Sequence, residues 1–216
     1  MGPISPKVVR GGLVLLDPEG KAVLRVIALQ YNPDTLTRTL QVRNTATDSG
    51  DRLEATRLKG PPIEMIKLEA EIDAADQLEK PGENRDALSL GILPELAALE
   101  TVLTPASADL QAAQRLAQTG TLEILPLPSP LVLFVWGARR VLPVRIIDLS
   151  VVEEAFDPAL NPIRARVSLG LRVLSSDDLA PGTRGSGLAF AALQNKEQWA
   201  RRQPSTLQTL GLRSLP

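Results

Sequence analysis

The stretch that decides the fold is EEAFDPALNPIRARVSLGLRVLS, residues 153–175. A strand-like run ends at Phe156, the polar connection DPALNP follows, and the chain then alternates through a second full strand. In that strand Ile163, Ala165, Val167, Leu169, Leu171 and Val173 share one face, and Arg164, Arg166, Ser168, Gly170 and Arg172 share the other. A period of two is what a half-buried strand requires. Phe156 is expected as a buried aromatic at the strand corner, where truncation to alanine costs roughly 3–5 kcal/mol.

Upstream, LVLFVWG and VLPVRIIDLSVVEEAF keep the same period from Leu131, so the second half of the chain reads as three consecutive strands. At the other end, residues 12–30, GLVLLDPEGKAVLRVIALQ, are two apolar runs joined by Asp17-Pro18-Glu19-Gly20. Proline second and glycine fourth suit a type I turn and predict a hairpin. YNPDTL then interrupts the pattern, and TRTLQVRN resumes as an exposed strand with Leu36 and Leu40 inward. Residues 43–61 are polar and read as a loop. In IEMIKLEAEID, Ile66, Leu68, Ala70 and Ile72 alternate with Lys67, Glu69, Glu71 and Asp73, one face core and the other wet.

The middle changes period. Leu93, Leu96, Leu99 and Leu103 suit a helix beginning near Pro94, and SADLQAAQRLAQTG extends the helical region to a stop at Gly120. After Ser175 come a Ser/Asp/Gly-rich linker, a short helix in LAFAALQNKEQWARR and a Pro/Ser/Leu-rich end expected to be mobile. Strands before and after one helical segment predict an α+β, mainly β domain, a barrel or sandwich with a helix packed on it. Residues 1–175 form that domain, with a helical insertion near 87–120, and residues 176–216 are linker, helix and tail.

Composition narrows the chemistry. Lys plus Arg at 24 nearly cancels Asp plus Glu at 25, which leaves no electrostatic footprint for nucleic acid or an anionic membrane. No cysteine and no histidine occur among the 216 residues, so disulfides, thiolate sites and every His-based catalytic arrangement are excluded. Aromatics at 3% leave few stacking platforms. The N-terminus has no apolar stretch after a basic start and does not read as a signal peptide. The longest apolar run, residues 125–136, is short and broken by proline. The expectation is a soluble cytoplasmic product with no cofactor and no metal.

Glu153, Glu154 and Asp157 are the densest acidic cluster in a strand context. Adjacent strand residues point to opposite faces, so Glu153 and Glu154 do not share one site, and a solvated strand end accounts for them. Glu69, Glu71 and Asp73 could hold a cation, but Lys67 on the same stripe favours a wet face. Arg164, Arg166 and Arg172 are expected to meet opposite charges across strands or on a neighbouring subunit. Phe134, Trp136 and Phe156 read as core or rim aromatics. The pairs Asn32-Pro33 and Asn161-Pro162 each sit where strand-like segments meet, and there they make stiff bends.

Two of these segments carry a resemblance. ALQYNPDTLTRTLQ and PLVLFVWGARRVLPVRIIDLSVVEEAFDPALNPIRARVSLGLRVLS resemble the tube and baseplate proteins of contractile injection systems, in particular the tube-initiator or hub-adaptor proteins of phage-tail-like particles. The matching positions are Tyr31, Asn32 and Pro33 early, then Leu142, Pro143, Val144 and Arg145, and last Phe156, Asp157, Leu160, Asn161, Pro162, Ile163 and Arg164. The likeness spans residues 12–175. It implies a tail-tube-like barrel or sandwich with a flanking helix and a homo-hexameric ring between the spike or hub and the inner tube. That ring would initiate tube polymerisation within a particle assembled in the cytoplasm. The same likeness implies a structural protein with no enzymatic activity, no nucleic-acid partner and no membrane insertion, and it gives Arg164 and Arg166 an interface or channel wall. Some members carry a LysM module, for which this chain has only a short helix and tail. Two other readings stay open: the bulk inner-tube subunit and a carbohydrate-binding β-domain.

Overall fold

A computed structural model describes residues 8–43, 58–118 and 129–215. Seven strands form one antiparallel sheet: β1 (Gly12–Leu16), β2 (Val23–Ala28), β3 (Leu36–Gln41), β4 (Ile63–Asp73), β5 (Leu131–Val135), β6 (Val141–Phe156) and β7 (Pro162–Val173), in the order β2-β1-β5-β6-β7-β4-β3. Between β4 and β5 lie helices α1 (Ala75–Leu78), α2 (Arg85–Leu90), α3 (Leu93–Glu100) and α4 (Ser107–Gln118), and α5 (Arg184–Ala200) follows β7. The class is α+β and mainly β, as the alternating pattern predicts.

The predicted turn after β1 forms because each of its residues has a local task. Gly20 adopts φ 75° and donates its amide to the Asp17 carbonyl at 2.8 Å. The Asp17 carboxylate accepts from the amides of Lys21 and Ala22. In β4 and β7 the inward stripes are those read from the sequence, with Ile66, Leu68, Ala70, Ala165, Val167, Leu169 and Leu171 all buried.

The sheet curls. Were it flat, β2 and β4 would stand five strand spacings apart, about 24 Å. Instead Gln30, just past β2, donates its side-chain amide to the Asp73 carbonyl at 2.7 Å and accepts from the Asp73 amide at 2.8 Å. This side chain imitates a strand partner and clasps one end of an incompletely closed barrel. Helix α3 fills the remaining gap, with Ile92, Leu96 and Leu99 in the core shared by the strands. Arg25 of β2 reaches across to the Ala98 carbonyl and the Thr101 hydroxyl at the end of α3.

Several expectations change. Leu40 is inward in parity, opposite Glu64, yet 50% exposed, because β3 is an edge strand and Leu40 lines an open cleft beside α5. Helix α3 ends at Glu100, so Leu93 and Leu103 are exposed while Leu96 and Leu99 are buried. Helical structure begins already at Ala75, and α4 is a separate helix. Gly120 and most of the expected loop over residues 43–61 lie outside the described residues. Phe156 is 50% exposed, which overturns its reading as a buried corner aromatic. The aromatic that is buried is Phe134, with Trp136 stacked on it at a ring separation of 5.7 Å.

Helix α5 is held to the barrel by a charge on the wrong face. Glu64 stands on the inward stripe of β4 and is 5% exposed. Its carboxylate accepts from Arg38 Nε at 2.8 Å and from Lys196 Nζ of α5 at 2.6 Å. Burial alone pushes the Glu64 carboxyl up, and the hydrogen bonds from Lys196 and Arg38 outweigh it, so it titrates below its ordinary value of 4.5.

Two outcomes follow from these contacts. Gln30→Ala strands the Asp73 amide and carbonyl, and should cost about 2 kcal/mol, read in thermal melts as a drop of roughly 4–8 °C. For Glu64 the folded value lies below the unfolded one, so its stabilisation is complete above the ordinary 4.5 and is lost as pH falls through the folded value. The gap in melting temperature between the native protein and Glu64→Gln should therefore be widest near neutral pH and narrow in acid; a gap independent of pH would contradict the assignment.

Candidate assembly surface

The register of the strands leaves one edge of the sheet without a strand partner, while the inward face beside it, with Ile72, Leu149, Val151 and Ile163, packs on the core. β5 pairs with β6 only over Val141–Val144, whereas β7 follows β6 as far as Phe156. β4 continues beside β7 to the Asp73–Arg164 pair, while β3 covers β4 only to Leu68. A three-stranded arm results, built from the ends of β6, β7 and β4. Along residues 145–156 the outer edge of β6 has no strand partner among the described residues. Ile147 is the extra residue of a bulge, since Ile146 pairs with Leu171 and Asp148 already with Gly170. A side chain at Gly170 would place its Cβ 2.9 Å from that of Asp148, which is why glycine stands opposite the bulge.

The corner of the arm is made rigid by Asp157 and Asn161. Asp157 Oδ1 accepts from the amides of Ala159 and Asn161, both at 2.8 Å, and Oδ2 accepts from Asn161 Nδ2 at 2.8 Å. The Asn161 side-chain and backbone donors hold the Asp157 carboxyl below its ordinary range. Leu160 takes φ 66°, a left-handed conformation costly for leucine, so it persists only because this network over-determines it. The corner is then tied to the helices. Asn161 Nδ2 also donates to the Ser89 carbonyl at 3.2 Å, and the Ile92 amide donates to the Pro162 carbonyl at 2.9 Å. Gly91 lies so close that a Cβ would sit 2.1 Å from that carbonyl.

Asn32 performs the same service at the bend that follows β2. Its Oδ1 accepts from the Gly11 amide at 2.8 Å and its Nδ2 donates to the Val9 carbonyl at 2.9 Å, pinning the strand entering β1. Pro33 is half-buried, and Tyr31 is exposed beside it with its hydroxyl near Gln30. Leu142, Pro143 and Val144 are buried, and the Pro143 carbonyl accepts from the Leu174 amide at 2.8 Å. Arg145 is exposed at the start of the free edge.

The outward face carries a charge ladder. Arg164 bonds Asp73 at 2.7 Å and approaches Glu71 at 3.8 Å. Arg166 bonds Glu154 at 2.6 Å, and Arg172 bonds Asp178 at 2.6 Å. The opposite-charge reading across strands is therefore what the molecule does, and Asp73 and Glu154 are occupied by guanidinium groups rather than arranged about a reacting bond. Phe156, Leu160, Val152 and Ile147 stay exposed around this ladder, Leu160 at 79%. Large apolar side chains gathered on one face beside a free strand edge mark a surface suited to another molecule.

Sequence reasoning places Tyr31, Asn32 and Pro33 at one bend and Phe156, Asp157, Asn161 and Pro162 at another; in the structure the first bend lines a pocket with Arg166 of β7, which pairs with Glu154 of β6. It does not find the clasp by Gln30 or the anchor at Glu64. The Glu64 signal is nonetheless present, a carboxylate on the same parity as Ile66, Leu68 and Ala70. Neither a scan against protein-family models nor a search of curated proteins returns a match. No helix among the described residues is long and apolar enough to cross a membrane.

Asn161→Ala removes bonds to Ser89 and Asp157 together and should destabilise the chain by about 1–2 kcal/mol. It should also raise amide hydrogen exchange at Ile92, which bonds Pro162; unchanged exchange there would mean the corner holds its place without the asparagine.

Proposed function

We propose that this chain is a structural subunit of a contractile injection system, a baseplate component whose hexameric ring joins the spike or hub to the inner tube and starts tube polymerisation. The observation that carries the reading is the arm: a long unpaired β6 edge beside exposed apolar residues, held stiffly by the Asp157–Asn161 corner. A free edge of this kind offers backbone hydrogen bonds to a neighbouring strand, while Ile147, Val152 and Phe156 offer apolar area. The work is geometric, with no bond made or broken. Both bends at which the chain resembles the tube and baseplate proteins, Asn32-Pro33 and Asn161-Pro162, are points where an asparagine side chain fixes distant backbone. That is the demand a ring subunit makes, since closure needs a fixed angle between its two contact surfaces.

Arg164 and Arg166 are poor probes of the contact because reversing them breaks pairs within the chain. Ile147→Lys is better: it places a charge on the free edge at an exposed bulge. It should leave the melting temperature within about 2 °C, corresponding to surface-substitution effects of about 0.5 kcal/mol, and abolish incorporation into particles. The companion measurement is peptide mass spectrometry with copy numbers on sedimented phage-tail-like particles. Low copy beside an abundant tube protein supports the initiator, high copy makes the chain the tube subunit itself, and absence from particles overturns the reading.

A further inference from the structure

The segment after α5 is shaped by its own bonds, yet it turns its apolar side chains to solvent. A 3-10 turn spans Leu207–Leu210, capped reciprocally by Thr206 and Thr209. The Leu212 amide closes it by donating to the Leu207 carbonyl at 3.0 Å. Leu207, Leu210, Leu212 and Leu215 nonetheless stay exposed, Leu210 at 74%. Residues 201–215 hold Arg201, Arg202 and Arg213 and no aspartate or glutamate. None of these arginines forms a salt bridge among the described residues.

The outward face of β6, β7 and β4 has the opposite character. Between the bulge and the corner its carboxylates are Asp148, Glu154, Glu69, Glu71 and Asp73. Its cations are fewer, Lys67, Arg164 and Arg166. Arg164 and Arg166 are committed to Asp73 and Glu154, so the charge left over is negative. Asp148 and Glu69 form no salt bridge among the described residues. Val152 and Phe156 stand exposed on the same face. One chain therefore carries two unpartnered apolar surfaces, one on a basic ground and one on an acidic ground.

We infer that residues 201–215 of one copy dock on the outward face of β6, β7 and β4 in a second copy. Within a single chain the four leucines, Val152 and Phe156 are all exposed, so the chain does not join the two surfaces itself. Like does not pair with like: two outward faces would oppose carboxylates, and two C-terminal segments would oppose arginines. What remains is a head-to-tail contact between different patches, the kind that closes into rings. This contact rests on the reading of the β6 edge as a meeting place of subunits, and it supplies the occupant.

Fluorescence anisotropy with a labelled peptide of residues 201–215 and the unaltered full chain tests the contact. The peptide should bind saturably, and a scrambled peptide of the same composition should bind at least about tenfold more weakly. Raising salt from about 50 mM to about 500 mM should weaken the native peptide by a similar factor, as should Asp148→Lys. Because the chain has no cysteine, one introduced thiol per copy reports the geometry. Leu212→Cys mixed with a tagged Val152→Cys under diamide should give the mixed disulfide dimer, and neither variant alone should dimerise. No binding at millimolar peptide, equal binding of the scrambled peptide, or undiminished binding by Asp148→Lys would each overturn the proposal. So would self-linked dimers of either variant, or a doubly substituted chain that links only within itself. These measurements need no particle: this contact can fail while Ile147→Lys still blocks incorporation, and the injection-system reading can fail while the peptide binds. The comparison of peptides uses the unaltered protein, so it holds even where a variant fails to fold.

Discussion

Everything beyond the two-dimensional sheet depends on its being bent until Gln30 meets Asp73. Backbone pairing does not close the circuit, because the inward side of the gap between β2 and β4 is taken by α3 rather than by another strand. A side-chain amide presents a donor and an acceptor on separate atoms, as a peptide group does, so it can substitute for a strand residue at a single point. Once the clasp is made, the inward stripes of β1, β5, β6, β7 and β4 surround Ile92, Leu96 and Leu99. The helix then has no apolar stripe left to bury elsewhere. The clasp is also what makes a cavity beside α3: a barrel closed by backbone would have no room there, and an open sheet would have no second wall.

The same device recurs at two of the bends. Asn32 and Asn161 each offer an amide that bonds the backbone of a segment remote in sequence, residues 9 and 11 in one case and residue 89 in the other. Each is followed by a proline that fixes the exit direction. Turn chemistry alone would have stiffened the bends locally. What these contacts add is a fixed relation between the bend and the body: Asn32 holds the entry to the first strand, and Asn161 with Pro162 and Gly91 holds the arm against the α2–α3 turn. Glu64 extends the logic to charge, joining β3, β4 and α5 through one carboxylate that burial alone would push up.

How legible this was in the sequence varied with the range of the interaction involved. Alternation at Ile66 to Ile72 and at Ile163 to Val173 names both faces of two strands, because a period of two is enforced by the backbone itself. The Asp17–Gly20 turn is equally plain, its conformation being set by its own four residues. Leu40 and Phe156 failed because of what lies elsewhere in the chain: Leu40 has the inward parity but sits on an edge strand, and the bulge at Ile147 reverses the alternation after it, turning Phe156 to the outward face with Val152 and Glu154. Gln30 was invisible because glutamine has no pattern of its own; only the curl of the sheet gives it a task. Of the candidate assembly surface, the residues of the corner were legible, while the free edge was not, since it arises from β5 stopping at the partner of Val144.

A strand edge left open over residues 145–156 is an invitation to indiscriminate pairing, and the chain restrains it in the ways edges are usually restrained. The bulge at Ile147 breaks the regular ladder near its start. Asp148 and Glu153 put negative charge along it, and Glu154 is committed to Arg166. An arbitrary strand laid against this edge meets a mismatch in register and an acidic row, whereas a partner shaped to the bulge and carrying basic groups meets neither. The apolar residues around the corner, Phe156 and Leu160 foremost, lie at the far end of the edge from the bulge. Attraction and discrimination are thereby placed at opposite ends of one rigid element, so a partner must satisfy both at a fixed distance, and it is the stiffness of the Asp157–Asn161 corner that keeps that distance fixed.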